Sequence, residues 1–418
     1  MLETIKNAWK IPDLRKKILF TLMMLLVFRL GSHILVPYID KEVLSSFIEG
    51  NSMLGLLNVI SGNNLQQFTI FAMGISPYIT ASIIMNLLTI AIPALERLQK
   101  EGEAGQKKIA KYTRYAALFL AIIQSLGVIL TIESILEVDT WYVKTFVIMI
   151  LTAGTCFLLW MGEAITEKGI GNGISMLIFI GIISSFPQSI ISAGVGIVDG
   201  TFPLYIAIGL IIFSFLSVMG VVAVQEGARK IPVQYAKRVV GRKVYGGRNS
   251  HLPLKVNQTG VIPIIFASTL TMFPSTLASF FPNVNWLASL SEFMAWGRAF
   301  PTILYVILIV AFTFFYTMVT FNPVDVANNI QQNGGFIPGI RPGYSTIMYL
   351  KKILNRLTMS GGIYLAIVAI IPIIAGNLLK INLQFAGTSL LIAVGVALET
   401  VKQLEQEMVV RNYKGFLK

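Results

Sequence analysis

Charge is scarce in this chain. Only 13% of its 418 residues are Asp, Glu, Lys or Arg, while 55% are hydrophobic; an average soluble domain carries about 25% charge. So little charge cannot solvate a globular surface of this size. Cysteine is limited to Cys156, which lies inside an apolar run, so no disulfide can form within the chain. His33 and His251 are the only histidines, far apart and without cysteine partners, which argues against a zinc site. No G-x-x-x-x-G-K-[ST] occurs, so a P-loop is excluded, and no H-E-x-x-H occurs, which removes the commonest membrane metalloprotease motif. Carboxylates are nearly absent from the centres of the apolar runs; Glu163 and Glu399 lie towards run ends. An ion-coupled transporter usually keeps carboxylates or broken helices at that depth. No cluster of nucleophile, base or metal ligands stands out, so a membrane-embedded enzyme is disfavoured. No catalytic residue, cofactor or metal is expected.

What the chain has is apolar length. Runs near 18–36, 69–92, 112–132, 144–162, 173–194, 203–224, 259–281, 302–321, 361–379 and 386–406 each hold about 20 residues, enough to cross a hydrocarbon core of about 30 Å. The expected fold is all-α: a polytopic membrane protein of ten transmembrane helices. The basic N-terminus precedes an apolar run that lacks a small-residue cleavage site, which reads as an uncleaved first helix.

Basic residues set the orientation. If the N-terminus is cytoplasmic, 28 of the 33 Lys and Arg residues fall in cytoplasmic segments; Lys41, Lys144, Arg298 and Lys380 fall outside, and Arg29 lies within the first span. Both termini are therefore expected in the cytoplasm. The net charge of +13 is one-sided and is no evidence of nucleic-acid binding. Arg29 either snorkels outward or caps backbone carbonyls, a structural role in both cases. Asn257-Gln258-Thr259 fits a glycosylation sequon on the wrong side of the membrane.

Ten spans divide at the short outer linker GVGIVDGT. The expected units are an N-terminal half, 1–194, an outer linker, 195–202, which the family resemblance given below implies to be a hinge, and a C-terminal half, 203–418. Five helices per half forces the halves into opposite orientations, a known way to build a pathway near the midplane. Two cytoplasmic loops, 225–258 and 322–360, are far longer than ordinary connections. They carry basic residues among turn signals, either as positive-inside bias on floppy loops or as a docking surface for a cytoplasmic partner with acidic or phosphate groups. Arg341 is the sharpest candidate for docking, held between Pro338-Gly339 and Pro342-Gly343.

The stretches FRLGSHILVPYID (28–40), AMGISPYITASIIMNLL (72–88), EKGIGNGISMLIFIGII (167–183), YAKRVVGRKVYGGRNSHLPLKVNQTGVIPIIFAS (235–268), FNPVDVANNIQQNGGFIPGIRPG (321–343) and FAGTSLLIAVGVALE (385–399) resemble the SecY/Sec61 alpha family of protein-translocase channel subunits, and fit its bacterial branch better. The motifs occur in both halves and in order.

The resemblance implies a passive protein-conducting channel in the bacterial plasma membrane. A plug helix at about 52–66 would include Leu56, Leu57, Asn58, Val59, Ile60 and Ser61, a half-polar body held loosely enough to move. A pore ring would comprise Ile75, Ile79, Ile178, Ile182, Ile265 and Ile392. Ile75 and Ile79 share a helix face, as do Ile178 and Ile182, although any single isoleucine in a membrane helix is more often packing. An apolar ring gates by dewetting and offers a sliding chain no fixed hydrogen-bond partner. Thr80, Gln124, Ser268 and Thr269 would line a lateral gate between spans 2 and 3 and spans 7 and 8, or serve as ordinary helix–helix glue; such bonds are worth about 0.6–2 kcal/mol each. Arg341, Arg242, Arg238 and Lys243 would dock the SecA ATPase or the ribosome. SecE would brace the halves and SecG would lie peripherally.

Overall fold

A computed structural model describes the backbone of residues 2–39, 43–44, 58, 61–131, 140–198, 204–235, 238–240, 243–245, 249–280, 284–294, 298–379 and 386–415. The chain is mainly helical, and each of the ten expected spans overlaps a helix. These are α2 (Pro12–Gly31), α3 (Ser76–Ala91), α5 (Glu103–Thr131), α6 (Trp141–Lys168), α7 (Gly173–Val198), α8 (Leu204–Glu226), α9 (Ile262–Phe280), α11 (Ala299–Thr320), α13 (Tyr344–Leu379) and α14 (Ala386–Gly415). Shorter helices are α1 (Leu2–Trp9), α4 (Pro93–Lys100), α10 (Asn285–Phe293) and α12 (Pro323–Gln332). Among the described residues, four helices are long and apolar enough to cross a membrane, and α3 with α4 makes a fifth if that bent pair is one span. The protein is a mainly α-helical, multi-pass membrane protein.

Two compact units emerge, neither contiguous in sequence: Met1–Leu210 with Met272–Arg298 and Ile392–Lys418, and Ile211–Thr271 with Ala299–Leu391. In the first, α3 packs on α5 where Ala81 and Ala117 are both fully buried beside Leu159; small residues let membrane helices approach closely. Ile92, placed before Pro93, is extended (φ −108°, ψ 112°), because proline disfavours the α region for its predecessor. The chain there bends by 98° into α4. Arg114 on α5 pairs with Glu163 on α6. The α6–α7 turn is held at several points. Thr21 Oγ1 accepts from Ile170 N–H (3.0 Å), Thr166 Oγ1 from Gly173 N–H (2.9 Å), and Asn172 Oδ1 caps α7 through Ile174 N–H (3.1 Å). Ile170 continues into a core of Ala8, Leu14 and Leu404, beside the Lys17–Glu407 ion pair at 2.8 Å. The last helix is thereby tied to the first.

The second unit contains what the sequence does not reveal: a small sheet built from both long loops. Strand β1 (Ala228–Tyr235) pairs antiparallel with β4 (Asn249–Lys255) and, at Gln234 and Tyr235, with β5 (Gly335–Phe336). Short strands β2 (Arg238–Val240) and β3 (Lys243–Tyr245) keep the β1–β4 register, since Arg238 faces Tyr245 as Ala228 faces Lys255. Residues 236–237, 241–242 and 246–248 lie outside the described residues. Val256 N–H donates to Gly227 O at 2.9 Å. By antiparallel alternation, Pro232 and Pro253 then occupy positions whose missing N–H would point out of the hairpin. Neither breaks the β1–β4 ladder; Pro253 blunts the β4 edge, and Pro232 stops β5 from extending along β1.

The inward faces of β1 and β4 (Ile231, Val233, Leu254) pack on Ala327 and Ile330 of α12 and on Leu350 and Ile353 of α13. That packing explains why α13 starts at Tyr344 and not near 361. Leu254 is fully buried, so Leu254→Ala is expected to cost roughly 2–5 kcal/mol and to speed tryptic cleavage at Arg229, Lys230 and Lys255. An unchanged digestion rate would show that this sheet is not a packed body.

Candidate functional site

Between α2 and α3 the backbone leaves helical geometry. Residues 62–75 form a run of turns in which Gly62 (φ 74°), Asn63 (φ 64°), Phe68 (φ 46°) and Gly74 (φ 55°) take left-handed conformations. A chain inside a membrane protein must satisfy these peptide groups internally, and side chains do so. Asn58 Oδ1 accepts from Gln66 N–H (2.9 Å), and its Nδ2 donates to Asn63 Oδ1 (3.2 Å) and Gln66 Oε1 (3.3 Å). Ser61 Oγ donates to Asn58 O (2.9 Å), Asn64 Nδ2 to Ser61 O (2.6 Å), and Thr69 Oγ1 to Asn64 Oδ1 (3.2 Å). Asn58, Ser61, Asn64 and Thr69 are all buried. Of the plug residues, Leu56, Leu57, Val59 and Ile60 lie outside the described residues, whereas Asn58 and Ser61 sit at the heart of this network. Asn64 and Gln66 fall within the expected plug range, and Thr69 lies beyond it. Their only signal is the density of amides and hydroxyls in SGNNLQQFT directly before a span.

The segment is fixed at depth. Gly154, midway along α6, faces the Ile70 carbonyl so closely that a Cβ would sit 1.9 Å from the oxygen. Ile34 and Val36 pair with it through Ile70 N–H to Ile34 O (3.0 Å) and Val36 N–H to Phe68 O (2.9 Å). Phe71 is stacked between Phe28 of α2 and Phe157 of α6, with centroids 5.7 and 6.1 Å away.

The ring isoleucines of the first unit adjoin this segment. A Cβ on Gly62 would fall 2.6 Å from Gly181 Cα, and one on Gly74 would fall 3.3 Å from Ser61. Gly181 immediately precedes Ile182, and Gly74 precedes Ile75. Gly62 and Ser61 therefore lie within one residue of Ile182 and Ile75, two of the expected ring positions, on two different elements. Ile75, Ile79, Ile178, Ile182 and Ile392 are buried, and all belong to the first unit; Ile265 is half-buried and belongs to the second.

The gate hydroxyls bond within their own helices. Thr80 Oγ1 donates to Ser76 O (3.1 Å), while Ser268 Oγ (2.9 Å) and Thr269 Oγ1 (2.8 Å) share the carbonyl of Ile265. Such back-bonding is the local option that Ser and Thr always have in a helix. Gln124 is half-buried on α5. The apparent sequon is a helix-entry turn: Asn257 Nδ2 donates to Gly260 O (2.9 Å), Thr259 Oγ1 donates to Asn257 Oδ1 (3.2 Å), and both residues are buried.

Arg341 is exposed at the tip between β5 and α13. Gly339 (φ 80°) and Gly343 (φ 98°) flank it in left-handed conformations that favour glycine, and Thr346 Oγ1 pins its carbonyl at 3.0 Å. Arg238 and Lys243 lie on β2 and β3; Arg242 lies outside the described residues.

The sequence pattern of the SecY family matches residues 69–401. The chain belongs to the SecY family. It is 46% identical to the protein translocase subunit SecY of Streptomyces coelicolor, with all of both chains covered. Its fold is shared with a SecY structure described as having a plug domain that stabilises the closed translocation channel and maintains a membrane seal (TM-score 0.66, 18% identity, 95% of this chain and 93% of that one). It is shared also with Sec61 from a canine ribosome-channel complex (TM-score 0.64, 17% identity, with the same coverage).

The close approach at Gly154 gives a direct check on this arrangement. Gly154→Val places branched carbons on the Ile70 carbonyl and is expected to lower the thermal unfolding midpoint in detergent. An unshifted midpoint would contradict the packing described for residues 61–75.

Proposed function

We propose that the chain is the pore-forming subunit of a protein translocation channel, passing unfolded secretory chains across the bacterial plasma membrane and releasing hydrophobic segments sideways into lipid. Both termini are cytoplasmic. Ten spans form two inverted halves, 1–194 and 203–418, which flex at the 195–202 linker. The observation that carries the reading is the non-helical segment held at mid-span depth beside Ile75 and Ile182. A continuous helix there would be the simpler structure, and a stopper over a narrow waist explains the departure from it.

In this reading Ile75, Ile79, Ile178, Ile182, Ile265 and Ile392 form the waist. Branched apolar side chains hold water poorly, so the waist stays dry when empty. It presents no charge and no fixed donor, so an extended polypeptide of any sequence slides through. Residues 52–66 are the plug, and the Asn58–Ser61–Asn64–Thr69 network is its root. Thr80, Gln124, Ser268 and Thr269 line the seam. Hydroxyls that already bond to their own helix leave no orphaned polar group when the seam parts, so opening it costs less than breaking bonds across it.

The channel performs no chemistry of its own. Energy comes from the SecA motor or from translation, engaged through Arg341, Arg238, Arg242 and Lys243. Because β5 pairs with β1, the two basic loops act as one platform. SecE braces the halves and SecG lies at the periphery.

Two experiments test this. Replacing Ile75, Ile79, Ile178 and Ile182 together with serine is expected to make the resting channel leak ions in planar bilayers; unchanged conductance would remove the ring assignment. Arg341→Glu is expected to slow SecA-driven transport into vesicles while complex assembly stays normal. Wild-type rates in that variant would remove the docking assignment.

A further inference from the structure

Helix α10 is not needed to explain translocation, yet its surface is strongly patterned. At about 100° per residue it shows three sectors. Leu287 is buried and Leu290 is half-buried, so this side packs on the protein. Asn285, Ser289 and Glu292 are exposed on the opposite side. Trp286 and Phe293, one i,i+7 pair, project from the flank between those sides and are 67% and 51% exposed.

Three features identify what covers that flank. The helix is tethered at both ends to apolar helices, α9 before it and α11 after it. Only residues 294–298 separate it from α11, and a chain extends by at most about 3.5 Å per residue. It therefore stays close to the ends of those two helices. The first turns of α11 expose Phe300, Ile303 and Ile307 at i, i+3 and i+7, so the lipid-facing stripe of that helix begins beside the tether. Finally, Glu292 is neutralised by Arg298 at 3.1 Å, which leaves no net charge for an acidic or basic protein to recognise. Trp and Phe on one flank, small polar groups on another and no net charge suit the boundary between headgroups and acyl chains, where amphipathic aromatics concentrate.

We propose that α10 is an interfacial anchor, lying in the plane of the bilayer with Trp286 and Phe293 inserted at headgroup depth and Asn285, Ser289 and Glu292 in water. By the charge asymmetry of the loops this is the outer leaflet; insertion itself does not depend on the transport reading. The anchor would fix the level of the outer end of α11 relative to lipid, so a change in outer-leaflet packing would act on that helix directly.

Fluorescence quenching tests the proposal. The full chain is prepared with Trp286 as its sole tryptophan, with Phe at positions 9, 141, 160 and 296. It is reconstituted into phosphatidylcholine vesicles brominated either near the headgroup or near the chain end. A second variant keeps only Trp160, which is 55% exposed on α6, and sets the scale for a tryptophan on a spanning helix. Shallow bromines are expected to remove most Trp286 emission, deep bromines little, and external iodide little. Strong iodide quenching without bromine quenching would place the flank in water and overturn the anchor. Protection from both quenchers would mean that protein, including a second copy of this chain, covers it, and would overturn the anchor equally.

Discussion

Hydrocarbon cannot hydrogen-bond a peptide group, and this structure is arranged around that constraint. Helices solve it almost everywhere in the chain. They do not solve it in residues 62–75, where the backbone turns repeatedly beside the middle of α6. There the side chains of Asn58, Ser61, Asn64 and Thr69 serve as the missing partners. Removing any of them would strand a buried donor or acceptor, a cost of about 1–3 kcal/mol. A loop with so many internal bonds and so many backbone contacts through Gly62, Gly74 and Gly154 is a rigid root.

The same economy of polar groups shapes the rest of the molecule. Hydroxyls on α3 and α9 bond backwards along their own helices, so the helix surfaces stay effectively apolar. Charged residues are tied into structure in pairs: Lys17 to Glu407, Arg114 to Glu163. The basic loops are organised by a sheet whose prolines fall where no ladder bond is lost. Arg341 projects from a tip that two left-handed glycines hold. A side chain on such a tip presents its charge from a backbone that is already ordered.

Much of this was legible in the sequence. Ten apolar runs are a direct consequence of bilayer thickness, and each overlaps a helix, so composition and spacing report them. The Pro-Gly-Ile-Arg-Pro-Gly motif announced its own turn. What stayed hidden is what depends on contacts distant in sequence. Tyr235 meets Gly335, and no local pattern tells two loops to share a sheet. Asn257-Gln258-Thr259, discarded as a modification signal, is a helix-entry turn. The plug residues were read as a loosely held helix, but Asn58 and Ser61 show their purpose only once Asn64, Gln66 and Thr69 close around them. Side-chain-to-backbone bonding of this kind has no periodicity to detect.

The central claim is that the path for polypeptide runs past the isoleucines next to this root. The most direct measurement is site-specific crosslinking of a stalled secretory chain to single cysteines placed at 75, 79, 178, 182, 265 and 392, in a background lacking Cys156. The account predicts that all six positions capture the arrested chain along one short stretch of its length, and that lipid-facing controls such as Ile303 do not. Capture at the controls, with none at the six, would contradict it.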